Sequence, residues 1–94
     1  MTVSFIIINY NVTTLLRRCL QSIERHAANT DSEVIVVDNA SPDSSWKSLT
    51  AEFPNVKFIE NKTNVGFAKA NNLAAKIADG KYLFLLNPDT ELEG

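Results

Sequence analysis

Hydrophobic residues fall along this chain in two alternating rhythms. Val3 to Ile8 is an almost unbroken apolar run rich in β-branched residues, and it ends in Asn9-Tyr10-Asn11; this predicts a strand buried on both faces. Leu15, Leu16, Cys19, Leu20 and Ile23 then recur at helical spacing with Arg17, Arg18, Gln21 and Glu24 between them. An amphipathic helix from Thr13 to Ala27 follows, with Thr13 or Asn11 available to cap it. Val34 to Val37 repeats the first rhythm and ends in Asp38-Asn39-Ala40-Ser41-Pro42-Asp43, a cluster of turn formers. Trp46, Leu49 and Phe53 predict a short helix that opens at Ser44 or Ser45 and stops before Pro54. Val56 to Glu60 is the third expected strand. Beyond the polar loop Asn61 to Asn64, the residues Phe67, Ala70, Leu73, Ala74 and Ile77 mark one face of a helix closed by Gly80. Tyr82 to Leu86 is the fourth strand, and it ends in Asn87-Pro88-Asp89-Thr90.

Alternation of strands and helices at this spacing implies an α/β domain with right-handed crossovers and a mainly parallel four-stranded sheet. Each strand is followed at its C-terminal end by a polar cluster: Asn9 to Asn11, Asp38 to Ser41, Asn61 to Asn64, and Asn87 to Thr90. In a parallel sheet these clusters share one edge, which is where open α/β sheets bind ligands.

Composition narrows the ligand. The 94 residues are 45% hydrophobic and 21% charged, which suits one packed domain. A net charge of −2 gives no general attraction for nucleic acid or anionic membranes. Cys19 is the single cysteine and cannot form an internal disulfide; no secretory signal pattern opens the chain, and no apolar run approaches the roughly 20 residues of a membrane span. A cytoplasmic setting is expected. The first turn, Asn9-Tyr10-Asn11-Val12-Thr13, has no glycine, so neither the dinucleotide fingerprint nor a P-loop is present. A diphosphate would instead need a metal, and Asp89 sits at a strand end where an ion could bridge protein and phosphate. Tyr10 offers an aromatic face for a base, and Asp38 can accept hydrogen bonds from a base N–H or a ribose hydroxyl.

Four segments in this order and spacing, Asn-Tyr-Asn after the first strand, Val-Asp-Asn-Ala-Ser, Asn-Val-Gly-Phe-Ala-Lys-Ala-Asn-Asn and Leu-Leu-Asn-Pro-Asp-Thr, resemble family 2 glycosyltransferases of the GT-A fold. The rhamnosyltransferase-like subgroup is the most similar. This resemblance covers the whole chain and implies a Rossmann-like, three-layer α/β/α half-domain with strand order 3-2-1-4. It also implies roles: Tyr10 stacks on a uracil or thymine and Asp38 hydrogen-bonds the base. Asn11, Asn39, Ser41, Gly66 and Asn71 line the nucleotide-sugar pocket. Asp89 matches the last acid of the family's Asp-x-Asp motif, which binds Mn²⁺ or Mg²⁺ with the diphosphate; Asn87 stands where the motif has its first acid. The donor would be a UDP- or dTDP-sugar, and a hexosyl or rhamnosyl group would pass with inversion to a glycan or lipid-linked saccharide. The parent enzyme would serve polysaccharide synthesis in the cytoplasm or at a membrane. The family's general base and acceptor wall lie beyond the metal motif, and the chain ends five residues after Asp89, so binding without catalysis is expected.

Plainer roles compete for the same residues. Asp38 and Asp89 could be turn residues and Tyr10 a core ring. Gly66 could serve only the entry to the third helix, whereas asparagine is a poor helix former, so Asn71 or Asn72 should have a polar task. Cys19 and Trp46 read as core, and His26 as a solvated residue that favours the helix dipole. The rival function is a non-catalytic α/β nucleotide-binding or interaction module. A receiver of that kind needs acids where Asn9 and Asn61 stand, and a sugar nucleotidyltransferase needs a glycine-rich turn after the first strand. The apolar fourth strand also predicts self-association through a sheet edge.

Overall fold

A computed structural model describes residues 2–27 and 30–88. Four parallel strands form one sheet in the order β3-β2-β1-β4, with β1 at Val3–Asn9, β2 at Ser32–Asn39, β3 at Lys57–Asn61 and β4 at Tyr82–Leu86. The chain lays β2 and β3 on one side of β1, then crosses to place β4 on the other. That reversal is the topological switch point at which such sheets open a crevice.

Alternation along the two central strands sorts the core into two layers. Phe5, Ile7 and Val36 face α1 (Thr13–His26), where Leu16, Cys19, Leu20 and Ile23 meet them together with Leu49 and Phe53 from the segment between β2 and β3. Ile6, Ile8, Ile35 and Val37 face α3 (Phe67–Ile77), which meets them with Ala70 and Ala74. Helices therefore cover both faces, as the alternating pattern predicts.

Several boundaries differ from the sequence expectation. β1 and β2 run into the polar residues Asn9, Asp38 and Asn39, because these keep the ladder register: Asn9 pairs with Asp38, and Asp38 with Glu60. β3 is displaced by one residue. Ser44–Ser48 is a 3₁₀ turn leading into the α-helical turn α2 (Leu49–Glu52), and the cap is Asp43, whose carboxylate accepts from Ser45 N at 2.8 Å. α1 has Val12 at its N-cap and no side-chain capping bond; Thr13 instead pairs its hydroxyl with Ser45 at 2.9 Å. Trp46 is buried and stacks on Phe58, so it is packing. On α3 the buried stripe is rotated toward Asn71, leaving Phe67 and Ile77 exposed at the two ends. Ala78, in extended backbone, ends that helix rather than Gly80.

Gly80 serves a close approach. A Cβ there would fall 2.5 Å from Ser4 N, and the glycine N–H donates to Ser4 Oγ at 2.9 Å. Ser4 Oγ in turn donates to the buried Glu33 carboxylate at 2.7 Å, which also accepts from Asp79 N at 2.6 Å and from Lys57 Nζ at 2.8 Å. Glu33 thus ties the first three strands and the α3–β4 connection together at the N-terminal edge. Burial alone would raise its pKa, but the Lys57, Ser4 and Asp79 donors outweigh that and lower it from 4.5 to about 2. The Glu33 contribution is therefore fully present above the unfolded value and is lost as pH falls from about 4.5 toward 2. Its size is on the order of 3 kcal/mol. Urea unfolding at pH 7, 4 and 3 should show that loss, and Glu33→Gln should be less stable at pH 7 with a flatter acid limb. An unchanged acid limb in Glu33→Gln would contradict this assignment.

Candidate functional site

The C-terminal edge of the sheet gathers most of the residues singled out from the sequence. At the end of β1, Asn9 is fully buried, while Tyr10 is 49% exposed and available as a flat aromatic surface. At the end of β2, Asp38 and Asn39 are both buried, and the chain turns through Ala40 at φ 63°. Asn11 likewise adopts φ 56°, a left-handed conformation that asparagine tolerates.

Asp38 organises the first half of this edge. Its Oδ1 accepts from Asn9 Nδ2 at 2.9 Å and from Ser41 Oγ at 2.5 Å, and its Oδ2 accepts from Ser41 N at 3.0 Å. Ser41 Oγ also accepts from Asn11 N at 2.8 Å, so the turns after β1 and β2 are joined. Asp38 is 1% exposed, and its carboxylate is occupied by the protein itself; the turn-capping role anticipated from sequence is present.

Asn39 organises the second half. Its Nδ2 donates to Asn64 Oδ1 at 3.0 Å and to Gly66 O at 3.4 Å, and its Oδ1 accepts from Val65 N at 3.0 Å and from Asn61 Nδ2 at 3.4 Å. Gly66 sits at φ 84° and ψ 161°, a region reserved almost wholly for glycine, with open space where a Cβ would stand. Glycine is required there by the backbone, and it turns the loop into the start of α3.

Asn71 lies one turn into α3. It is buried, its Nδ2 donates to Phe67 O at 3.1 Å, and its Oδ1 has no partner among the described residues. Asn72 is exposed, so the polar task falls to Asn71. Phe67, expected in the core, is 57% exposed at the same edge. Asp89, the expected metal ligand, lies outside the described residues. Among the described residues no three His, Cys, Asp or Glu side chains are grouped to hold a metal ion. No described helix is long and apolar enough to cross a membrane.

A cavity of about 380 Å³ opens beside this edge, lined by Asn11, Thr13, Asp43 and Ser45 among others. A second, of about 330 Å³, lies away from the strand ends, between the last turns of α1 and the segment Phe53 to Val56. Of the described site residues singled out from the sequence, Asn11 lines the first and none lines the second. Sequence reasoning passed over Asn9 and Asn64 as site residues. Asn9 carried a signal, being a polar residue that directly continues a doubly buried strand; Asn64 had only its place in a polar loop.

The profile of Glycosyl transferase family 2 matches residues 4–94. The chain belongs to this family. Among curated relatives it is 35% identical to the chondroitin synthase of Escherichia coli, over 97% of this chain and 13% of that protein. It is 36% identical to the poly(ribitol-phosphate) beta-glucosyltransferase of Bacillus spizizenii, over 95% of this chain and 15% of that protein. Among solved structures, S. aureus TarS 1-349 superposes with a TM-score of 0.83 at 29% identity, covering 95% of this chain and 28% of TarS 1-349. That protein has also been solved in complex with UDP and with UDP-GlcNAc. The GT-A fold of this family 2 chain is thereby shown, and the chain spans well under a third of the length of each of these relatives.

Proposed function

We propose that the chain is the donor-nucleotide-binding part of a glycosyltransferase that uses a UDP- or dTDP-sugar. The observation that carries this reading is the family 2 likeness to TarS, whose structures include complexes with UDP and UDP-GlcNAc. The gathering of Tyr10, Asn11, Asp38, Asn39, Ser41 and Gly66 on the C-terminal edge supports it. In this reading the exposed ring of Tyr10 stacks on the pyrimidine and Asp38 accepts a hydrogen bond from it. Asn71 turns its spare acceptor toward the nucleotide. Asp89 would hold Mn²⁺ or Mg²⁺, and such an ion would supply positive charge against the departing diphosphate. The described residues supply no ligand set of their own for such an ion. Transfer in the parent enzyme proceeds with inversion, of a hexosyl or rhamnosyl group, to a glycan or lipid-linked saccharide acceptor.

Self-association is the second part of the proposal. Tyr82, Leu83, Phe84 and Leu85 are 45–63% exposed, and β4 pairs only with β1 among the described residues. An open, apolar strand edge of this kind favours strand addition by a second copy.

Two measurements test these readings. Calorimetric titration with UDP and with dTDP, each with and without Mn²⁺, should show metal-enhanced binding. Tyr10→Ala should weaken it by about tenfold or more, since base stacking on an aromatic ring contributes roughly 1–3 kcal/mol. Binding untouched by Tyr10→Ala contradicts the stacking role. Sedimentation at rising concentration should show dimers, and Phe84→Lys should remove them; a monomer throughout contradicts the edge proposal.

A further inference from the structure

We propose that Asn9 is the positioning residue for Asp38: its side-chain amide holds the carboxylate in place while the turn at Ser41 yields to the nucleotide. The inference deepens the proposed function and rests on its reading of Asp38 as the group that meets the base.

The need for a positioning residue comes from burial. Asp38 is 1% exposed and, among the described residues, its hydrogen-bond partners are the neutral donors of Asn9 and Ser41. Two of its three bonds come from Ser41, which lies in a turn reached through Ala40 at φ 63°. The third comes from Asn9, a strand residue that pairs with Asp38 in the β1–β2 ladder and is itself fully buried. A ligand donor can reach the carboxylate only where something moves aside; Ser41 lies beyond the end of β2, outside the ladder bonds that fix Asn9. When the Ser41 hydroxyl leaves Oδ1, the Asn9 N–H is the bond that remains on that oxygen. Without it, the ligand would meet a buried carboxylate free to rotate and short of hydrogen-bond donors.

The orientation of the Asn9 amide follows from chemistry. An ionised carboxylate only accepts, so the nitrogen must face Asp38 and the oxygen must face away. That leaves Asn9 Oδ1 buried without a partner among the described residues, a cost that an apolar residue of similar shape would not carry. A residue kept only for packing would be better as leucine.

A double-mutant cycle on the full chain, read by UDP affinity, tests this. Asn9→Leu keeps the volume and removes the donor; Asn9→Val, which also lacks a donor and suits a strand, serves if the leucine variant does not fold. Melting curves establish that each variant is folded. The expected result is that Asn9→Leu and Asp38→Asn each weaken UDP binding by roughly tenfold, the lower end for a hydrogen bond to a charged group. The double variant should be no weaker than Asp38→Asn alone, since Asn9 acts through Asp38. If Asp38→Asn weakens binding and Asn9→Leu does not, the positioning role is overturned and the donor-site reading stands. If the two losses multiply, Asn9 acts independently of Asp38 and the proposal also fails. Unchanged affinity in Asp38→Asn, or no binding of either UDP or dTDP by the folded chain, overturns the donor-site reading and this inference with it.

Discussion

A parallel strand that carries polar side chains into the interior must find each of them a hydrogen-bond partner, and this constraint shapes the whole C-terminal edge of the sheet. Asn9, Asp38 and Asn39 are all buried where their strands end. Asp38 draws in Asn9 and Ser41, and through Ser41 the backbone of Asn11. Asn39 draws in Asn61, Asn64, Val65 and Gly66. The turns after β1, β2 and β3 are thereby bound to one another, and the entry to α3 with them. The loops become one connected rim, beside which Tyr10 keeps an exposed aromatic face.

The opposite edge solves the same problem with charge. Glu33 is buried there as Asp38 is here, yet its partners include the Lys57 ammonium, and its acidity is correspondingly strengthened. Among the described residues the donors to Asp38 are neutral. The contrast fits a division of labour: a permanently paired carboxylate that locks the base of the sheet, and one at the rim held by groups that can be exchanged for a ligand. Family membership and the likeness to TarS, which has been solved in complex with UDP, support the donor-binding reading from which the rim site is proposed.

Much of this was legible in the sequence because the strands are doubly buried and read as continuous apolar runs. The order of elements, the parallel sheet, the strand order 3-2-1-4 and the shared polar edge follow from those runs and from the resemblance they support. Boundaries moved where polar residues kept the ladder, as at Asp38 and Asn39, since hydrophobicity alone does not reveal register. On α3 the reading held at Ala70 and Ala74, which meet the sheet, and failed at Phe67 and Ile77, whose size outweighed their place at the two ends of the helix. The Glu33 cluster was invisible for another reason. Ser4, Lys57, Asp79 and Gly80 are far apart in the chain, and only the fold brings them to one carboxylate.

The central claim is that the nucleotide occupies the C-terminal rim. It is tested most directly by mapping amide chemical shifts of the isotopically labelled chain during titration with UDP. The account predicts that perturbations concentrate at Tyr10, Asn11, Asn39 to Ser41, Val65 and Gly66, while Glu33, Asp79 and Gly80 at the other edge stay still. Perturbations centred instead on the cavity between the end of α1 and Phe53 to Val56 would contradict it.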